Sequence, residues 1–291
     1  METLALHLGA LGDFVLSWPA LGLLAAGPPA SRLGLLGQPA WGRLLLPGER
    51  VFDREAGRFA GLFSPAPGPE LRRWLRDFDR AVVFAHRPDP LLLANLRGWV
   101  PQVWAVPTRP APGERRHASD VQVAALRGLG LTGPAQPLPV LPLGQEGAAP
   151  PTGAPVLAPG SGGRAKRLAP ELAGKLAREM TRHWGPPLVL LGPAEDGAYR
   201  HELTQAVGED AGGWLSDPEM PALAAALRAA PAYVGADSGV SHLAAALGAP
   251  ALAVFQASDP QVWAPRGARA RGLAELEQAL AKQGGLAGLL P

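Results

Sequence analysis

Several features are missing from this sequence of 291 residues, and each absence excludes a class of protein. Cysteine does not occur, which excludes disulfide bonds and thiolate metal sites. No uncharged apolar run reaches the roughly 18 residues that suggest a membrane-spanning helix. The net charge is only +2, so the broad basic face of a nucleic-acid-binding protein is not expected. Lysine is scarce: arginine supplies nearly all of the positive charge.

The N-terminal sequence METLALHLGALGDF gives an expectation about location. It carries an acid at Glu2 and lacks the basic region that opens a secretory signal peptide. Together with the absence of cysteine, this predicts a cytoplasmic protein. The hydrophobic fraction of 47% suffices for a large buried core, and the length favours two domains over one.

Short apolar runs alternate with helical patterns along the chain, which predicts α/β domains with parallel sheets. Residues 14–26 predict one continuous helix, with Pro19 in its first turns. A segment rich in proline and glycine at 132–155 marks the domain boundary. We therefore predict domains at 1–150 and 151–291, with the last helix able to pack back on the first domain. Each half opens with a strand, a glycine turn and a helix, which favours two Rossmann-like domains facing each other across a cleft.

The strongest local pattern is VGADSGVSHLAAALGAP at 234–250, which reads as strand, tight turn and helix. Its glycines allow close backbone approach, and the helix directs free N–H groups and the positive end of its dipole into the turn. This arrangement predicts an anion-binding site. His242 lies on the first helical turn, where a donor side chain would be useful. Asp237 is expected to contact a hydroxyl or a backbone N–H rather than the anion.

Three other positions are candidates, and each has a structural alternative. Asp13 follows the first predicted strand and is either a helix N-cap or a carboxylate that takes a proton from a hydroxyl. Lys166 follows the glycine turn at 160–163 and suits phosphate as a compact charge. Glu195 ends a buried strand and either caps a helix or accepts hydrogen bonds from ribose hydroxyls. The sequence DFD at 77–79 has the D-x-D form of some metal sites, but solvated acids at a junction are the simpler interpretation.

Five motifs, in this order, resemble those of glycosyltransferase family 9, the ADP-heptose:lipopolysaccharide heptosyltransferases. They are GALGDFVLSWPAL (9–21), PGSGGRAKRLAP (159–170), LLGPAED (190–196), GADSGVSHLAAALGAPALAVF (235–255) and DPQVWAP (259–265). The resemblance implies a GT-B fold, with the acceptor on the first Rossmann-like domain and the sugar nucleotide on the second. It also implies an inverting transfer from an ADP-sugar to a glycolipid or lipopolysaccharide-core acceptor, without a metal or another cofactor.

Carried over position by position, the resemblance assigns Asp13 as the catalytic base. It assigns donor binding to Ser161, Gly162, Lys166, Glu195, Asp237, Ser238, Gly239 and His242. A basic loop adds Arg109, Arg115 and Arg116, which are either solvated or contact acidic groups of a membrane-bound glycolipid. In the second case the protein would meet the inner face of the cytoplasmic membrane as a peripheral protein.

The sequence departs from the family pattern at three places. Ala158 stands where the family often has histidine, and His7 stands where a basic residue often precedes the Gly-Asp motif. Gln256-Ala257-Ser258 replaces the usual Gly-Pro-Thr. Two alternative functions stay open: a sugar-nucleotide-binding protein of the same fold without transfer activity, and a dinucleotide oxidoreductase. The second lacks support, because no G-x-G-x-x-G follows the first strand.

Overall fold

The computed structural model describes residues 1–142, 153–281 and 285–290. The chain divides into two compact units, Met1–Leu143 and Gly144–Pro291. The domain boundary predicted between residues 150 and 151 lies outside the described residues. Each unit contains one sheet of parallel strands, which agrees with the alternation of apolar runs and helical patterns in the sequence.

The first sheet has five strands in the order β3-β2-β1-β4-β5. The strands are β1 (Glu2–His7), β2 (Arg32–Gly37), β3 (Val51–Asp53), β4 (Arg80–Phe84) and β5 (Gln102–Val106). The helices are α1 (Leu11–Leu16), α2 (Trp18–Ala26), α3 (Pro39–Gly42), α4 (Pro69–Leu75), α5 (Pro90–Arg97) and α6 (Ala118–Gly128). Leu4 of β1 pairs with Gly34 of β2 and Ala81 of β4. Leu4 and Leu6 have no exposed surface, as expected for the central strand of a sheet covered on both faces.

The single helix predicted for residues 14–26 is wrong, because the structure has two helices that meet at Ser17. Pro19 is the cause: it lies at the start of α2, where its missing N–H costs nothing, but inside a continuous helix it would remove a hydrogen bond. At the end of α1, the N–H of Ser17 donates to Phe14 O at 3.0 Å. At the start of α2, the carbonyl of Ser17 accepts a hydrogen bond from the N–H of Leu21 at 2.9 Å.

The second sheet has six strands in the order β11-β10-β9-β6-β7-β8. The strands are β6 (Val156–Ala158), β7 (Leu188–Leu191), β8 (Gly213–Ser216), β9 (Tyr233–Ala236), β10 (Ala251–Phe255) and β11 (Arg269–Gly272). The helices are α7 (Pro170–Trp184), α8 (Gly197–Val207), α9 (Met220–Ala229), α10 (Gly239–Ala246), α11 (Pro260–Trp263) and α12 (Leu273–Leu280). Counted from the first strand of each unit, the orders are 3-2-1-4-5 and 3-2-1-4-5-6, which is the doubly wound order of Rossmann folds.

The core of the second unit lies between its sheet and helices α7 and α8. Leu172, Leu176 and Met180 of α7 are buried there against Val189 of β7. The last helix, α12, contributes Leu276 to this same core, whereas the sequence allowed it to pack on the first domain. Within the described parts of the chain, no helix combines the length and the apolar character needed to cross a membrane.

Candidate functional site

The candidate donor site lies where the second sheet reverses its strand order. Strands β6 and β9 are neighbours and run parallel, so the loops that follow them leave the same edge. In open α/β sheets, ligands bind outside the carboxyl ends of the strands at such a switch point. Ser161, after β6, donates a hydrogen bond from Oγ to the main-chain carbonyl of Asp237, after β9, at 2.9 Å. Gly162, next to Ser161, is exposed, and no atom lies within 4 Å of the position of an added Cβ.

An ion pair joins the two loops. Lys166, at the end of the short 3-10 helix Arg164–Lys166, has Nζ 2.7 Å from Asp237 Oδ2. The Asp237 side chain is 5% exposed and the Lys166 side chain 36%, so the acid is enclosed while the ammonium group still meets solvent. Ser258 Oγ donates a hydrogen bond to the same Oδ2. Asp237 therefore contacts a hydroxyl, as expected, and also an ammonium group, which the sequence did not predict.

Helix α10 starts at Gly239, directly beyond this pair. Its N-cap residue is Ser238, and within the described residues the Ser238 side chain accepts no capping hydrogen bond from the helix. N–H groups in a first turn without a side-chain cap are the condition for anion binding at a helix N-terminus. His242 lies buried on the same turn, with its main-chain N–H 3.4 Å from Ser238 O.

A buried tyrosine fixes strand β9 to helix α10. The Tyr233 hydroxyl lies 2.9 Å from Ser241 Oγ, which donates to Ala236 O at 2.5 Å. Burial raises the pKa of Tyr233 far above its ordinary value, so the hydroxyl stays protonated. Gly235 makes room for this contact, because a Cβ at that position would collide with the Tyr233 hydroxyl and lie 2.9 Å from Ala158 O. The strand, turn and helix are thus held as one unit.

Glu195 lies against the glycine turn. It is buried, and its Oε2 accepts a hydrogen bond from the N–H of Gly192 at 2.5 Å. Its carboxylate fills the space above Gly160, where an added Cβ would collide with it. The N-cap of α8 is Asp196, whose Oδ1 accepts from the N–H of Tyr199 at 3.1 Å. The helix-cap interpretation of Glu195 is therefore wrong.

Two arginines that the sequence analysis missed hold these loops in place. Arg167 donates to Ser161 O at 3.2 Å and to Asp196 Oδ2 at 3.0 Å. Arg200 donates to Glu195 O at 3.0 Å. The Tyr199 N–H and Arg167 lower the pKa of Asp196, so this acid stays ionised. In a chain where arginine is so frequent, neither residue gave a recognisable signal.

In the first unit, Asp13 lies in the first turn of α1. The N-cap of that helix is Ala10, so the N-cap interpretation of Asp13 is wrong. The Asp13 carboxylate is partly exposed and packs beside Gly9, with Oδ2 3.4 Å from the position of an added Cβ. Ser17 Oγ anchors the main chain of Asp13 through its carbonyl at 2.8 Å.

His7 lies next to this turn and is 2% exposed. Its ring packs against Phe14 and Phe84, with centroids 5.3 and 6.1 Å away, and within the described chain neither ring nitrogen has a hydrogen-bond partner. Burial lowers the pKa of His7 to about 4. The position where the family often has a basic residue therefore carries a neutral ring at pH 7.

The three arginines considered for the acceptor lie on the loop after β5, which leaves the same edge of the first sheet as the loop after β1. Arg109, Arg115 and Arg116 are all exposed. Arg116 Nε donates to Glu114 Oε1 at 2.6 Å, so part of its charge is neutralised locally. The N–H of Ala111 and the guanidinium of Arg116 lower the pKa of Glu114.

The D-x-D sequence at 77–79 has a structural role. Asp77 is exposed, and Phe78 packs in the hydrophobic core of the first unit. Asp79 Oδ2 accepts a hydrogen bond from the N–H of Glu2 at 2.8 Å. No group of three or more histidine, aspartate and glutamate side chains in the described residues is arranged to hold a metal ion.

Residues 154–285 match the family model described as glycosyltransferase family 9 (heptosyltransferase). This range contains all the predicted donor residues but not Asp13. Among curated protein sequences, none matches the chain significantly.

Solved structures with similar folds cover nearly the whole chain. A glycosyl transferase family 9 protein from Veillonella parvula is 18% identical, with a TM-score of 0.72 over 97% of this chain and 89% of that one. E. coli heptosyltransferase WaaC with ADP is 16% identical, with a TM-score of 0.65 over 94% and 93%. E. coli ADP-heptose lps heptosyltransferase II is 20% identical, with a TM-score of 0.67 over 94% and 90%.

At these identities the similarity concerns the fold, and it confirms the predicted GT-B class. The sequence match covers most of the second unit, where the candidate donor site lies. The second unit thus matches glycosyltransferase family 9 in sequence over residues 154–285, and the chain as a whole has the fold of these solved glycosyltransferases.

Proposed function

We propose that this glycosyltransferase moves a heptose from an ADP-sugar to a hydroxyl of a glycolipid or lipopolysaccharide-core acceptor, with inversion at the anomeric carbon. The heptosyltransferase family match supports this proposal. So do two proteins of the same fold, one solved with ADP and the other an ADP-heptose lps heptosyltransferase.

The observation that carries the proposal is the Lys166–Asp237 pair beside the first turn of α10. In this proposal, the donor diphosphate binds over the N–H groups that begin at Gly239, next to Ser238, and the Lys166 ammonium stabilises its growing charge as it leaves. Glu195 accepts hydrogen bonds from the ribose.

Four further residues complete the proposed donor site. Ser161 and Gly162 form the turn beside the phosphates, Asp237 orients Lys166, and His242 donates to the diphosphate. Lys166 and the helix supply the positive charge that a leaving diphosphate needs, so we propose transfer without a metal ion or another cofactor. Activity should then persist after treatment with EDTA, and its loss would contradict this part of the proposal.

Asp13 is the proposed catalytic base. Its partly exposed carboxylate would take the proton from the acceptor hydroxyl as that oxygen attacks the sugar. Arg109, Arg115 and Arg116 would attract phosphates or acidic sugars of the acceptor from the same edge of the first sheet. An acceptor held in a lipid bilayer would bring the protein to the inner face of the cytoplasmic membrane as a peripheral protein.

The direct test combines ADP-heptose with lipopolysaccharide-core acceptors that lack heptose and follows both ADP release and the mass of the acceptor. We expect ADP release only when an acceptor is present, together with a gain of one heptose mass. Donor binding without release would favour the alternative of a sugar-nucleotide-binding protein.

The same assay tests the base. Asp13→Asn keeps the size of the side chain but removes its basicity, so turnover should fall by about 10²–10⁴-fold. The donor dissociation constant should stay within about twofold, since the proposed donor contacts lie elsewhere in the chain. Asp77→Asn, at an exposed acid outside the site, is the matched control. Wild-type turnover in Asp13→Asn would rule out Asp13 as the base.

A further inference from the structure

Two side chains that follow β10 contact both members of the Lys166–Asp237 pair. Gln256 Nε2 donates to the main-chain carbonyls of Lys166 at 3.1 Å and Arg167 at 2.9 Å. Ser258 donates from Oγ to Asp237 Oδ2. The carboxyl ends of β9 and β10 are also joined directly, because the N–H of Asp237 donates to Val254 O at 3.0 Å. The end of β10 therefore holds the lysine by its backbone and the acid by its carboxylate.

These contacts matter because a lysine side chain loses much rotamer freedom when it is fixed. A site whose lysine is already ordered before the ligand arrives binds that ligand more tightly than one that must order it on binding. Gln256 reduces the conformational freedom of the Lys166 backbone. Ser258 fixes the Asp237 carboxylate that pairs with the Nζ of Lys166. Neither side chain has to touch the ligand to have this effect.

We infer that Gln256 and Ser258 are positioning residues that hold Lys166 and Asp237 ready for the diphosphate of the donor. This inference rests on the proposed function for the identity of the ligand. Gln256 stands where the family pattern has glycine, which has no side chain to make such a contact. The Gln256 contacts are therefore specific to this chain, whereas the threonine of the family pattern also offers a hydroxyl at the position of Ser258. The bracket formed by Gln256 and Ser258 adds two residues to the donor site that were not among the predicted ones.

The first test needs no ligand. Trace acylation of the folded protein with acetic anhydride, read by mass spectrometry, compares the reactivity of Lys166 with that of exposed Lys175. Ser258→Ala and Gln256→Met each remove a donor, so Lys166 should react at least about threefold faster relative to Lys175. Matched controls elsewhere in the second unit are Ser216→Ala and Gln205→Met, at exposed positions, which should leave the ratio unchanged. An unchanged ratio in both bracket variants overturns the inference.

The second test measures the dissociation constant of ADP-heptose. Each bracket variant should bind about five- to tenfold more weakly than the wild type, since Ser258→Ala loses one hydrogen bond and Gln256→Met loses two. Ser258→Thr keeps the hydroxyl and should restore wild-type affinity. In a Lys166→Ala background, Ser258→Ala should change affinity by less than about twofold, because its effect acts through the lysine.

The outcomes distinguish a failure of the proposed donor from a failure of the positioning role. Losses that multiply in the double variant would indicate a general structural role and overturn the inference, as would faster labelling with unchanged donor affinity. If the wild type binds no ADP-sugar, the proposed donor is wrong, and the bracket is then decided by the labelling ratio alone. Melting temperatures close to that of the wild type exclude unfolding as the cause of weaker binding. If either Gln256→Met or Ser258→Ala does not fold, the other variant still tests the inference.

Discussion

At the scale of single residues, Gly160 and Glu195 depend on one another. The buried carboxylate of Glu195 occupies the space that any side chain at position 160 would need. A glycine is required there for room and not for backbone conformation, because Gly160 has no positive φ. From the sequence, the turn at 160–163 could be recognised as a glycine turn, but the acid that fills it comes from another strand.

Gly160→Ala should therefore displace Glu195 from its hydrogen bond with Gly192. We expect a loss of about 1–3 kcal/mol in the free energy of unfolding, as for other overpacked sites, and weaker donor binding. Urea unfolding and an ADP titration measure the two effects. Gly128→Ala, in helix α6, is the matched control, because a Cβ there meets no atom within 4 Å and the residue lies outside the proposed donor site. Equal behaviour of the two variants would contradict this account.

The positions of Lys166 and Asp237 could be predicted from the sequence, but the contact between them could not. Their positions after two strands were readable, because strands followed by glycine turns and helices have a clear pattern. Their contact was not readable, because it depends on which strands are neighbours in the sheet. Gln256 was noted as a departure from the family pattern, but its donor role needed the three-dimensional arrangement.

At the scale of elements, the sequence predicted the buried strands and long helices well. Continuous amphipathic or apolar patterns predict a helix at 170–184 and strands at 188–191 and 251–255, and α7, β7 and β10 have these bounds. Strands β3, β8 and β11 were not predicted. All three are short edge strands whose side chains are partly or fully exposed, so they lack the apolar run that marks a buried strand.

Helix packing gives a prediction at this scale. Gly174 lets α7 approach α8, because a Cβ there would collide with the main-chain carbonyl of Ala206. Gly174→Ala should lower the free energy of unfolding by about 1–3 kcal/mol, since the two helices must separate. Gly128→Ala, in the last turn of α6, meets no atom within 4 Å and should instead raise stability by about 0.5 kcal/mol. Thermal and urea unfolding would show the opposite signs, and a stable Gly174→Ala protein would contradict the close approach.

At the scale of the whole molecule, His7 makes stability depend on pH. Its pKa of about 4 in the folded protein lies below the ordinary value of 6.5, so the unfolded chain binds more protons between these two values. The free energy of unfolding therefore falls as the pH drops through this window. The loss attributable to His7 should reach about 2–3 kcal/mol at pH 4.5.

Urea unfolding at pH 7 and pH 4.5 tests this prediction, followed by tryptophan fluorescence, since five of the eight tryptophans lie in the first unit. His7→Phe keeps an aromatic ring beside Phe14 and Phe84 and cannot titrate, so its stability should fall less than that of the wild type between pH 7 and pH 4.5. His201→Gln, at an exposed position, should behave like the wild type. The same pH sensitivity in His7→Phe and the wild type would assign the effect to other groups.

The contact between Glu195 and Gly160 also has a consequence for how such a protein can diverge. A lineage that first replaced Gly160 would displace the Glu195 carboxylate and pass through a less stable intermediate. A lineage that first replaced Glu195 with a smaller residue would open space above position 160, after which that position could change freely. The order of the two substitutions therefore matters: changing position 195 first avoids the steric collision, but it gives up the proposed contact with the ribose.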